Sequence, residues 1–145
     1  MSRVALLDVN VLVALAWPNH VHHADARRFL RGLEPDQWAT TPVTEAGFVR
    51  VSANPRAVGD ALKPVEALEV LRAMRAQPGH RFLPDDVELV VDQPPDAARV
   101  VTHRQVTDAH LLAVARRHGA VLASFDRGIE ALDPAGVLVL VPIGR

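Results

Sequence analysis

Apolar residues fall along this chain in two rhythms. Unbroken apolar runs occupy residues 3–7 (RVALL), 120–126 (AVLASFD) and 136–142 (GVLVLVP). They lack the alternation of a half-exposed strand, so they read as strands covered on both faces. QWATT, residues 37–41, predicts another short strand, and HRF at 80–82 begins one more. Between these runs the spacing turns helical. Asn10 is placed to cap a helix running to about Trp17, which Pro18 stops. VHHADARRFLRGL, residues 21–33, sets Ala26, Phe29, Leu30 and Leu33 on one face, with Gly32 near its end. Thr41 as cap and Pro42 at the first position start a third helix, which Asn54-Pro55 ends. A fourth spans 64–76 with Val65, Leu68, Leu71 and Met74 on one face. The clearest is 106–119, VTDAHLLAVARRHG, with Thr107 as cap, Asp108 in the first turn and Gly119 at the end. LPDDVELV, after the 80–82 strand, carries no assignable pattern.

Strands alternating with helices predict an α/β fold: a central, mostly parallel sheet between two helical layers. At 145 residues the chain is expected to form one domain over 1–145, with 49% hydrophobic residues to fill its core. It has no cysteine, which removes disulfides and thiolate zinc sites and fits a cytoplasmic protein. No run approaches the roughly 20 apolar residues of a membrane span, and no export signal is expected at the start. Net charge is −1, so global charge does not advertise nucleic-acid binding. Lys63 is the only lysine, and nearly all basic residues are arginine.

One residue resists this layout. Asp8 sits in VALLDVNVLVAL, where burying a carboxylate is costly without a partner. In open α/β sheets, sites form outside the carboxyl ends of the strands. Asp8 follows the first strand and Asp126 follows VLAS. Asp108 opens its helix, and Glu45 lies on an early turn of the helix after the second strand. The four acids can therefore meet in one cleft. Each also has a plain reading: Asp108 favours a helix dipole, Asp126 caps a turn before Arg127-Gly128, and Glu45 is solvated. Asp8 is the hardest to explain so. Two carboxylates at 4 Å repel by about 4 kcal/mol at an effective dielectric near 20. A converging set needs shared protons or a cation. With oxygen ligands dominant, the expected partner is Mg²⁺ or Mn²⁺.

LLDVNVLVAL, TEAGFVRV, VTDAHLLAVARRHGAVLASFD and the closing apolar strand together resemble a PIN-domain ribonuclease. More narrowly they are similar to the VapC toxins of bacterial toxin–antitoxin pairs, as is the PNHVHHADARRFL stretch, and the resemblance covers nearly the whole chain. It implies a PIN-like three-layer α/β/α fold and a Mg²⁺- or Mn²⁺-dependent endoribonuclease. Asp8, Glu45, Asp108 and Asp126 would be its catalytic and metal-binding acids, with Asn10 and Ser124 supporting them. It also implies an RNA substrate, a cognate VapB-like antitoxin, and a homodimer. The chemistry implied is metal-assisted hydrolysis of a phosphodiester.

An acidic cleft needs a basic rim to hold RNA. Candidates are Arg27, Arg28 and Arg31 on the second helix, and Arg99, Arg104, Arg116 and Arg117 around the Asp108 helix. For any one of them a solvated helix face is the plainer expectation. The few aromatic residues, Trp17, Trp38, Phe29, Phe48, Phe82 and Phe125, are expected in the core rather than as stacking platforms. His20, His22 and His23 are poorly spaced for one helical face, so capping, surface or RNA-contact roles are expected rather than a metal cluster. Helix 64–76 has apolar surface to spare for a dimer or antitoxin groove. Two other classes cluster acids at strand ends. A receiver-type phosphoacceptor needs a late-strand lysine, and Lys63 is mid-chain. A haloacid-dehalogenase-like phosphatase begins with D-x-D, and Asn10 stands where its second acid belongs. A catalytically silent PIN binding module is a further alternative.

Overall fold

A computed structural model describes residues 3–33, 37–89, 100, 102–133 and 136–144. Among them run β1 (Ala5–Leu7), α1 (Val9–Ala16), α2 (His23–Arg31), β2 (Trp38–Thr40), α3 (Pro42–Ser52), α4 (Pro64–Arg75), β3 (His80–Phe82), α5 (Gln105–Arg117), β4 (Val121–Ser124), a 3₁₀ helix (Arg127–Leu132) and β5 (Leu138–Leu140). The strands form one sheet in the order β3-β2-β1-β4-β5. Every pairing is parallel, so the expected mostly parallel sheet is wholly so among the described residues.

The unbroken apolar runs have the predicted cause. Ala5 and Leu7 of β1 join a core cluster with Val11 and Leu12 of α1, Ala26 of α2, Phe48 of α3 and Leu71 of α4. Leu6, between them, joins Leu111, Leu112, Val114 and Ala115 of α5 with Ile129 and Leu132 of the 3₁₀ helix. Successive side chains of a strand point to opposite faces, so both faces of β1 are covered and three layers result. Register aligns the strand ends: Leu7 pairs with Ala123, Thr40 with Phe82, and Ser124 with Leu140. All five strand ends thus share one carboxyl edge, where Asp8 follows β1.

Two expected caps move. Asn10 does not cap α1. Asp8 does, in extended conformation, with Oδ1 accepting the Val9 N–H at 2.7 Å. Aspartate and asparagine cap about equally well, so the position decides: β1 passes into α1 through a single residue. Thr107 does not cap α5, which starts at Gln105 with Arg104 in the cap position. Burial of Leu111, Leu112, Val114 and Ala115 sets that helix, and its first turn extends back past Thr107. Thr41 and Pro42 start α3 as predicted, with Thr44 Oγ1 accepting the Thr41 N–H at 3.1 Å. Gly119, at φ +66°, ends the turn after α5.

On α4, the apolar face splits. Ala67 and Leu71 are buried, while Val65 and Leu68 face outward at 63% and 49% exposure. Residues 83–88, after β3, have no regular structure, but α5 and its C-cap hold them: His110 Nε2 lies 2.9 Å from Asp85 Oδ2, and His118 Nε2 lies 3.1 Å from Asp86 Oδ1. Among the described residues no helix is long and apolar enough to cross a membrane.

Candidate active site

The carboxyl edge of the sheet gathers the aspartates. Asp8 leaves β1 and caps α1, and it is only 8% exposed. Its Oδ2 accepts the Ser124 hydroxyl at 2.8 Å. Ser124 is the last residue of β4 and fully buried. With its one proton donated to Asp8, its oxygen accepts the Asn10 amide at 3.1 Å and the Asp126 N–H at 3.0 Å. Asn10 Oδ1 in turn accepts the Phe125 N–H at 3.3 Å. Asp126 caps the 3₁₀ helix, accepting the Gly128 N–H at 2.8 Å. Asp8, Asn10, Ser124 and Asp126 are therefore one hydrogen-bonded unit joining β1 and β4.

Asp108 faces this unit from α5. Burial pushes its pKa up to about 6, and repulsion from Asp8 and then Asp126 adds to the rise. Burial likewise raises the pKa of Asp8; the Ser124 and Val9 hydrogen bonds oppose it, and Asp126 repulsion reinforces it. Among the described residues, neither hydrogen-bond partner of the Asp8 carboxylate carries a charge.

Glu45 has partners of its own on the β2 side. Its Oε2 accepts the Thr40 hydroxyl at 2.7 Å, and Arg75 Nη1 lies 3.3 Å from its Oε1. Thr40 Oγ1 is also 2.7 Å from His80 Nε2. Since Thr40 gives its proton to Glu45, His80 must be the donor to Thr40. Burial and then the Arg75 charge lower the His80 pKa, in keeping with a neutral ring. Asp8, Asp108 and Asp126 thus repel one another, while Glu45 is bonded to Thr40 and Arg75 on the β2 side.

The donor set is all oxygen, which suits a hard divalent ion. Among the described residues no three His, Asp or Glu side chains are already drawn into a metal-binding group. Mg²⁺ does not need three, because it keeps several waters and takes one or two carboxylates plus substrate phosphate. A buried Asp8 with uncharged partners, repelled by two neighbours, fits such an ion.

The rim and the histidines differ from simple expectation. Arg27 and Arg31 are exposed on α2, and Arg104 and Arg116 are exposed at the two ends of α5. Arg28 instead donates to buried Asp25 at 3.0 Å, and Arg117 lies 3.7 Å from Asp86. Arg99 lies outside the described residues. His23 Nδ1 meets the Ala14 carbonyl at 2.8 Å, tying α2 to α1, and His22 Nδ1 meets Asp25 Oδ2 at 3.1 Å. The His22 ring stacks on Phe125, with centroids 4.9 Å apart, beside Asp126. Asp25 also accepts the Gly144 N–H, which lowers its pKa most, ahead of the His22 and Arg28 bonds. His22 stands at the helix cap position without capping through its side chain. Phe82 is the aromatic residue furthest from expectation, at 42% exposure rather than in the core.

A wholly parallel 3-2-1-4-5 sheet with aspartates after β1 and β4 and on α5 defines a class of acid-centred α/β domains. It differs from the 2-1-3-4-5 order of receiver-like folds. The PIN domain family matches residues 5–134. Ribonuclease VapC39 of Mycobacterium tuberculosis is 48% identical over 134 residues, covering 92% of this chain and 96% of that protein. Ribonuclease VapC38 of the same organism is 54% identical over 129 residues, covering 89% of each. The chain belongs to the PIN-domain family and, within it, to the VapC group. The crystal structure of M. tuberculosis VapC20, described as a Sarcin-Ricin loop cleaving toxin, superposes with a TM-score of 0.63 at 19% identity, over 95% of this chain and 99% of that one. At that identity it supports the fold.

Proposed function

We propose that this chain, as one domain, is a metal-dependent endoribonuclease and the toxin of a toxin–antitoxin pair. The observation that carries the reading is Asp8, buried at the carboxyl edge with no cationic hydrogen-bond partner among the described residues and repelled by Asp126 and Asp108. Membership of the VapC group supports the ribonuclease activity. Asp8, Asp108 and Asp126 are proposed to hold Mg²⁺ or Mn²⁺, with Glu45 joining when Arg75 releases it. A bound divalent ion supplies Lewis acidity toward water and offsets phosphate charge.

The protein's own groups do the rest. Ser124 holds Asp8 Oδ2 and the Asp126 backbone in fixed relation, so two acids keep one spacing. Asn10 braces Ser124 and the Phe125 backbone, which sets the turn carrying Asp126. Asp108, whose pKa burial and its acidic neighbours push up to about 6 without a cation, is the acid that a divalent ion would stabilise most in its ionised form. Arg27, Arg28, Arg104 and Arg116 are the proposed RNA-facing rim; Arg28 would first have to leave Asp25. The proposed partners are a VapB-like antitoxin and a second copy of this chain, in the cytoplasm. Outward-facing Val65 and Leu68 on α4 are surface suited to such contacts.

The test is cleavage of single-stranded RNA by purified protein. Cleavage is expected with Mg²⁺ or Mn²⁺, to cease in excess EDTA, and to be lost in Asp8→Asn that remains folded. Undiminished cleavage in EDTA would overturn the metal assignment. Failure of every RNA tested, metal present, would overturn the nuclease reading.

A further inference from the structure

Arg75 and Phe82 form a unit that the acid cluster does not account for. Phe82 is the last residue of β3, paired with Thr40 at the carboxyl edge of the sheet. The residue is 42% exposed. Arg75 is the last residue of α4, and its guanidinium lies over that ring, 5.0 Å from the centroid. The same side chain is 42% exposed and reaches Glu45 Oε1 at 3.3 Å. One arginine thus stands over an exposed aromatic ring while one of its nitrogens meets an acid of the candidate site.

We propose that Arg75 and Phe82 are a single-stranded RNA subsite next to Glu45, the guanidinium taking a backbone phosphate and the ring stacking on a base. This rests on the nuclease reading above. The chemistry follows from the two groups. A guanidinium edge that pairs with a carboxylate matches a phosphate equally well. An exposed ring accepts the face of any unpaired base, which single-stranded RNA offers and a duplex does not. Glu45 tolerates the exchange, because Thr40 keeps its other oxygen bonded at 2.7 Å. The move of Arg75 from Glu45 to phosphate also releases Glu45 Oε1 toward the site. Phe82 buried in the core would need no such neighbour; an exposed ring at a catalytic edge has a use for one.

A labelled single-stranded RNA oligonucleotide is titrated against Asp8→Asn protein with Mg²⁺, at several salt concentrations, alongside cleavage by the otherwise unaltered protein. Added Phe82→Ala is expected to weaken binding about tenfold, Phe82→Leu similarly, and Phe82→Trp little or not at all. Added Arg75→Gln is expected to weaken binding and reduce the salt-dependence slope by about 0.7, one phosphate on a single strand. Phe82→Leu keeps apolar bulk on the strand, so it reports stacking even where Phe82→Ala fails to fold. RNA binding and salt slope unchanged by Phe82→Leu and Arg75→Gln, while the unaltered protein cuts RNA, would overturn the subsite alone; lowered thermal stability in those variants would then mark a strut between α4 and β3. A protein that neither binds nor cuts RNA would overturn the subsite and the nuclease reading together.

Discussion

Ser124 Oγ stands 2.8 Å from Asp8 Oδ2 and spends its single hydroxyl hydrogen in a bond to that carboxylate, whose other oxygen accepts the Val9 N–H. Because the serine oxygen accepts from Asn10 and the Asp126 backbone, one hydroxyl serves three elements. Ser124→Ala would leave a buried carboxylate oxygen and two donors without their partner. We expect a loss of about 1–3 kcal/mol in unfolding free energy, since an unsatisfied buried group retains its desolvation cost. Removing a bond that favours the ionised form also raises the Asp8 pKa further. Denaturant unfolding with unchanged slope checks the first effect, and Mn²⁺ titration at neutral pH, expected to weaken, checks the second. A variant as stable as the parent would mean that this hydroxyl does not hold the site.

The metal-free protein should carry a pH signature of Asp108. Its pKa is near 6 in the fold against 3.8 without it. The folded state therefore binds more protons than the unfolded chain between those values, and stability falls as pH rises through that window. Above about pH 6 the penalty is complete; at this half-buried position, with solvent screening, it amounts to about 1–1.5 kcal/mol. Asp108→Asn cannot ionise, so in EDTA it should melt higher than the parent at neutral pH. The gap should close toward about pH 4. Mg²⁺ should then raise the melting temperature of the parent more than that of Asp108→Asn. Parallel stability curves for the two proteins across this range would contradict the repulsion described.

Gly47 tests the junction that carries Asn10 and Glu45. It lies mid-helix in α3, where alanine is ordinarily better by about 1 kcal/mol. A Cβ added there would stand 2.5 Å from Cγ2 of Val9, the first residue of α1. Val9 is β-branched and stiff at χ1, so it cannot swing aside cheaply. We expect overpacking to win, with Gly47→Ala destabilising by about 1–3 kcal/mol. Val9→Ala should relieve the clash, so the double variant is expected to be more stable than Gly47→Ala alone. A double-mutant cycle with no coupling would show that the helices separate freely.

Much of this layout was legible because it depends on local patterning. Apolar runs marked strands covered on both faces, and the helical spacing marked the layers covering them. Asp8 was legible as an anomaly, since its flanks left it no company but the core. The caps at Asn10 and Thr107 were misplaced because residue type permits a cap without choosing the position; the single-residue passage from β1 to α1 chose Asp8. The Glu45 surroundings were not legible at all. Arg75 is 30 residues from Glu45, and His80 is 40 from Thr40. Asp25 is 119 residues from Gly144. Such contacts are set by sheet order and register, which no local pattern states. Phe82 was misjudged for a similar reason: strand residues with apolar side chains suggest core, but β3 is an edge strand at the end of the sheet.

Asn10 offers the sharpest separation between support of the fold and support of the chemistry. Its amide uses both functions: Nδ2 donates to Ser124 Oγ at 3.1 Å, and Oδ1 accepts the Phe125 N–H at 3.3 Å. It is not the cap of α1, so a capping loss is not at issue. Asn10→Asp keeps the size and the acceptor but removes the donor. It also places a further carboxylate beside Asp8, with repulsion on the order of 4 kcal/mol at close range before a cation compensates. With metal present, stability is expected within about 1 kcal/mol of the parent, because the added charge is offset by the ion. Metal affinity or RNA cleavage is expected to change about tenfold or more, since groups that orient metal-binding acids have effects of that size. Asn10→Ser, which adds no charge, should change them less. Thermal melts with and without Mn²⁺, paired with cleavage rates, read both sides, and unaltered metal titration and cleavage in Asn10→Asp would leave Asn10 a purely structural brace between β4 and α1.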